Sequence, residues 1–198
     1  MTETDETGLL TRNPWVVRRK INVTEYYRMA EAGIIAWKDR IELIEGEIVV
    51  MSPAGSPHAG TINTLTRLLV TGLGSTAVVS VQNPLRLDDY NEPEPDFAVL
   101  RARDDDYRGA TPGAADVLLV IEVADSSLRY DRSVKATLYA RYGIPEFWIV
   151  DVNAGKIEVY RDPVGDRYMS VSEVDQGGLV VATEFPGVSI PAAALFQV

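Results

Sequence analysis

Residues 117–151 read VLLVIEVADSSLRYDRSVKATLYARYGIPEFWIVD, and this stretch decides the fold. It opens on a near-continuous apolar run, 117–124. Runs this short are strands buried on both faces. A helical segment follows and stops at Gly143. PEFWIVD is then a second buried strand. Working upstream, EPDFAVL reads as a strand, and so does TAVVSVQNPLRL, which Pro84 breaks. Before them SPAGSPHAG is a loop. Ser56-Pro57 fits an N-cap with proline at the first helical position, opening a helix to about Gly72 whose Ile62, Leu65 and Leu69 keep helical spacing. RIELIEGEIVVM is a hairpin turning at Glu45-Gly46. TEYYRMAEAG is a short helix with Thr24 as N-cap and Gly33 as its stop. Downstream, KIEVYRD, YMSVSEV and LVVATEF predict a small antiparallel extension. The order predicts an α/β domain, a mixed central sheet flanked by helices, with an N-terminal hairpin. Residues 1–20 are expected to be a mobile tail and 21–198 a single domain.

Composition narrows the function. The chain has 198 residues, no cysteine and one histidine, His58. Disulfides, thiolate zinc sites, cysteine nucleophiles and any site needing two imidazoles are thereby excluded. The acidic N-terminus has no basic region followed by an apolar core, so no signal peptide is expected. No apolar run is long enough for a membrane span; the longest is interrupted by Glu122. A cytoplasmic location and no membrane partner are the expectations. The formal charge is -10. Eight acids and two arginines lie between Asp88 and Asp106, whereas four basic residues and one acid lie between Arg129 and Arg141. From charge alone a solvated acidic surface is the preferred reading.

Glu122 is the most informative residue, because a carboxylate in a core strand is costly unless paired, protonated or metal-bound. A structural arginine would satisfy it as well as a functional partner. Asp96, after Pro95, opens a strand. If the two strands are neighbours, both carboxylates converge on one hard cation such as Mg2+ or Mn2+. Lys135 falls within the apolar stripe of its helix, about 40° from Asp131. It is aimed at the sheet or, on the alternative, forms an i, i+4 ion pair with Asp131. Near a phosphate, a lysine there stabilises developing negative charge. His58 heads the stripe Ile62, Leu65, Leu69, as a packing residue or a ligand. Glu47 follows the hairpin turn on the face of Val49 and Met51.

The segments IELIEGEIVVMSP, PHAGTINTLTRLL, EPEPDFAVL, LLVIEVADSS and YDRSVKATLYARYGIPEFWIVD, in that order, resemble the Uma-two family of restriction endonuclease-like proteins. The resemblance runs from about Thr24 to about Tyr160. It implies the restriction endonuclease-like fold of the PD-(D/E)XK nucleases, with a metal site at strand ends. Carried over, Pro95-Asp96 matches the PD element and Glu122 the acid of the ExK element. Ala124 stands where that superfamily usually has lysine. Lys135 resembles the migrated lysine of divergent members, and His58 stands where many place a glutamate. Glu47 is expected to approach the same site.

The leading expectation is a Mg2+-dependent endonuclease acting on DNA, with Asp96 and Glu122 on the metal and Lys135, His58 and Glu47 around them. The alternative is a non-catalytic nucleic-acid-binding or regulatory module on the same fold. A glycosidase with paired acids ranks last, because few aromatics lie near the motifs. A homodimer through the C-terminal strands or an exposed sheet edge is also expected.

Overall fold

The computed structural model describes residues 15, 17–36, 40–51 and 55–196. Most of the expected tail, 1–14 and 16, lies outside these. Helix α1 (Val23–Glu31) is capped by Asn22 rather than Thr24. Asn22 Oδ1 accepts from the Glu25 N–H at 2.9 Å, and Glu25 Oε2 accepts from the Asn22 N–H at 3.1 Å. This reciprocal pair satisfies two amides that the helix itself leaves free, so it outcompetes a threonine inside the first turn. Strands β1 (Ile41–Ile44) and β2 (Glu47–Val50) form the expected hairpin. Glu45 and Gly46 both have positive φ, 51° and 74°, as a tight two-residue hairpin turn requires. Helix α2 (Ser56–Leu73) begins with Gly55 as N-cap and Ser56 already inside.

The central sheet has six strands in the order β3-β4-β5-β6-β7-β8. They are β3 (Ala77–Val81), β4 (Phe97–Arg101), β5 (Val117–Ala124), β6 (Glu146–Asp151), β7 (Lys156–Val164) and β8 (Arg167–Asp175). Only β5 and β6 are parallel. The helix between them supplies the crossover that a parallel pair needs. KIEVYRD and YMSVSEV lengthen the central sheet as β7 and β8. A separate small pair is made by β9 (Leu179–Val181) and β10 (Ser189–Pro191).

Residues of β5 alternate between two cores. Leu119, Ile121 and Val123 face α2, joining Leu65, Leu69 and Trp148. Val120 and Ala124 face the crossover helix, joining Ala136, Tyr139 and Phe147. Glu122 shares the second face by the same period-two alternation. The crossover helix, α3 (128–141), is not uniform. Leu128–Tyr130 and Ala136–Arg141 are α-helical, and Asp131–Lys135 between them is a π-helical turn.

Candidate active site

The antiparallel register of β4 and β5 builds the site. Phe97 pairs with Ile121, so one step further Asp96 stands across from Glu122. Residues opposite each other on antiparallel strands have Cβ atoms about 5 Å apart. The two expected carboxylates are therefore brought together by strand pairing alone, at the entrance of β4 and near the exit of β5. The Asp96 N–H donates to Glu122 Oε2 at 3.2 Å, and the Val123 N–H donates to Asp96 Oδ2 at 2.8 Å. Gln82 follows β3 with a φ of 50° and donates its Nε2 to Asp96 Oδ1 at 3.1 Å. A glutamine in the left-handed region is uncommon, and this one is held there beside a buried acid.

On the other side of Glu122 stands α3. Lys135 Nζ donates to Glu122 Oε1 at 3.1 Å and to Glu42 Oε2 at 2.6 Å. Lys135 is 3% exposed and Glu42 0%. The Tyr139 hydroxyl donates to Glu122 Oε1 at 2.8 Å, and the Tyr130 hydroxyl to Glu42 Oε1 at 3.0 Å. Asp131 does not pair with Lys135; its Oδ2 accepts from the Ser127 hydroxyl at 2.6 Å. The π turn buries both Asp131 and Lys135 against the sheet. Turns of this kind recur at functional sites.

Burial pushes the Glu122 carboxyl up to about 8 against the pull of Lys135. Burial alone would lower Lys135, but Glu122, Tyr139 and Glu42 reverse this and hold it well above the ordinary lysine range, so it stays an ammonium. One cation serves two buried carboxylates. Burial also raises Asp131 to about 6. Asp96 is buried too, yet the His58 ring beside it carries it below the ordinary aspartate value.

His58, near the start of α2, completes the cluster. Its Nδ1 lies 2.9 Å from the Val123 carbonyl, and its Nε2 3.3 Å from Asp96 Oδ1. A carbonyl only accepts, so Nδ1 carries the proton. In the neutral ring, Nε2 would then turn a bare lone pair on a carboxylate oxygen. The favourable states are an imidazolium or a cation shared between them. The Asp96 carboxylate beside the ring raises His58, consistent with the first. The contact has ion-pair distance without good hydrogen-bond alignment, and Nε2 has no other partner.

Glu47 is not part of the cluster. It is exposed and pairs with Arg18 at 3.1 Å. The reason is the seating of the hairpin. Its inner strand, β1, meets the segment before β4 through a bridge between Leu43 and Glu92, leaving β2 outermost. Glu42 on β1 takes the place expected for Glu47. Its signal was present in the sequence, since IELI embeds a glutamate among apolar residues much as VIEV does. Tyr139, one turn after Lys135 on the same stripe, was legible too. Gln82 carried no such signal.

Among the described residues no group of three or more His, Asp or Glu side chains forms a preformed metal cage. The donor set is an open one. Glu122 Oε1 accepts two hydrogen bonds and is filled, whereas Glu122 Oε2 and Asp96 Oδ2 each accept one and keep a lone pair. Two neighbouring carboxylate oxygens, completed by water and substrate, suit magnesium, which is commonly held by one or two carboxylates. The residues fit a small hard cation.

The fold has a counterpart among solved structures. A crystal structure described as a "putative nuclease belonging to DUF820" from Anabaena variabilis superposes with a TM-score of 0.71. The match has 16% identity over 89% of this chain and 97% of that one. No curated protein matches the chain. Among the described residues no helix is long and apolar enough to cross a membrane. The sequence profile of the Uma2 family, described as "Putative restriction endonuclease", matches residues 23–193, and the chain belongs to that family.

Proposed function

We propose that the protein is a Mg2+-dependent endonuclease that hydrolyses DNA phosphodiester bonds at the Asp96–Glu122 pair. The observation that carries this reading is the pairing of Asp96 against Glu122 with a buried ammonium, Lys135, bonded to the second carboxylate. Asp96 and Glu122 would hold the ion. A divalent ion there supplies charge neutralisation at the phosphate and makes water more acidic. The chain's own groups do the rest. Lys135 orients Glu122 and keeps positive charge close to where a phosphorane-like transition state gathers negative charge. Tyr139 and the Asp96 N–H fix the Glu122 carboxylate, so that it is preorganised. His58 holds Asp96 and, as an imidazolium, carries a proton at Nε2. Manganese would serve in place of magnesium. Family membership supports nuclease chemistry, and DNA is the substrate we propose.

The second reading is a non-catalytic nucleic-acid-binding or regulatory module. The net charge of -10 and a lysine already engaged by two carboxylates favour it. Incubation with supercoiled, linear and single-stranded DNA, with Mg2+, with Mn2+ and with chelator, separates the two. Metal-dependent cleavage of any of these supports the nuclease. Metal-independent retention of DNA without cleavage supports the module.

A further inference from the structure

We infer that β8 is an interaction surface for a second copy of this chain, joining two six-stranded sheets edge to edge about a two-fold axis at Val171. β8 is the outermost strand of the central sheet and has nine residues, RYMSVSEVD. Among the described residues no segment pairs with its outer side. Soluble proteins protect such an edge with lysine, proline or a covering element, because its free N–H and C=O groups recruit other strands. β8 contains neither lysine nor proline and exposes Met169 at 69% and Val171 at 55%. The opposite edge, β3, is five residues long and mostly half-buried.

The sequence of β8 selects its occupant by charge. An antiparallel self-pairing centred on Val171 sets Arg167 of each copy opposite Asp175 of the other. Ser170 then meets Ser172, and Val171 meets itself. Both ends gain a cross-strand ion pair while the apolar contact lies on the axis. Arg167 is free to make it: its side chain is 85% exposed, and its present contact with Asp166 is a loose 3.7 Å. Moving the axis to Glu173 sets like charges face to face and leaves both arginines without an acid. A two-fold, isologous contact of this kind closes on itself and ends at a dimer. The surface lies three strands from β5, so it leaves the Asp96–Glu122 site open and does not depend on nuclease activity.

Sedimentation of the full chain, with charge variants, tests the contact. The wild type is expected to dimerise. Arg167→Asp and Asp175→Arg are each expected to weaken the dimer at least tenfold, and the double variant R167D/D175R to restore it. The chain has no cysteine, so a single introduced thiol reports the register. Directly opposed residues have Cα atoms about 4.5–5.5 Å apart, within disulfide range. Val171→Cys should therefore cross-link on mild oxidation. Ser170→Cys should not, because its copies would lie about 8 Å apart. A monomer at every accessible concentration, a dimer indifferent to both charge reversals, or equal cross-linking at 170 and 171 would overturn the inference.

Discussion

Replacing Lys135 by methionine probes the site at its most constrained point. The substitution keeps most of the side-chain volume and removes the charge. Glu42 and Glu122, at 0% and 6% exposure, then lose their shared cation. Breaking a buried pair from one side costs about 3–5 kcal/mol, because a charge is left uncompensated. For a chain of this length each kcal/mol lowers Tm by about 2–4 °C, so a fall of about 6–20 °C is expected. The sign of its pH dependence follows from Glu122, whose carboxyl burial raises. An acid whose folded pKa is raised is at its most stabilising below its unfolded value and loses that contribution as pH rises towards the folded value. Without Lys135 the Glu122 carboxyl shifts further up, so the deficit should be small near pH 5 and grow towards pH 9. Calorimetric melts across that range measure it. Adding Glu42→Gln to Lys135→Met should recover part of the loss, because residues in one ion-pair network couple by about 0.5–3 kcal/mol. An unchanged Tm, or a double variant no more stable than the single, would refute the shared-cation account.

Other expectations concern metal and function. Because Glu122 sits near pH 8 without metal, Mg2+ binding at pH 7 should release close to one proton, and affinity should rise with pH until it levels above about 9. Calorimetry in buffers of different ionisation enthalpy reads the release. Asp96→Asn and Glu122→Gln should lower Mn2+ affinity and cleavage together, whereas Lys135→Ala should bind Mn2+ as well or better yet lose cleavage in the chemical step. Glu42→Gln should reduce the cleavage rate at saturating Mg2+ by loosening Lys135. Glu47→Gln, at an exposed position outside the site, should change stability by less than about 0.5 kcal/mol and leave cleavage intact.

The sequence made much of this site legible, for physical reasons. Glu122 stood out because a charge inside an apolar run needs a partner. Asp96 was found through its place at a strand start and the Pro-Asp motif. Lys135 was placed in the apolar stripe by counting 100° per residue, although its turn is π-helical. Four residues come close to one turn in either helix, so 131 and 135 stay on one side. The sequence points to Glu47 rather than Glu42, since which hairpin strand faces inward depends on the Leu43–Glu92 bridge, a contact between distant parts of the chain. Gln82 was invisible because its role depends on a backbone reversal after β3 that no neighbouring glycine announces. The caps at Asn22 and Gly55 shifted by one or two residues from those expected, the usual scale of error where several small polar residues compete for a helix start.

The central claim is that Asp96 and Glu122 form a metal-dependent phosphodiesterase centre. Conversion of supercoiled plasmid to nicked and linear forms, followed in Mg2+ for the wild type and for Asp96→Asn at equal concentration, tests it most directly. The account predicts cleavage by the wild type that chelator stops and that the folded variant lacks. Equal cleavage by both proteins, or none by the wild type with any divalent ion, would contradict it.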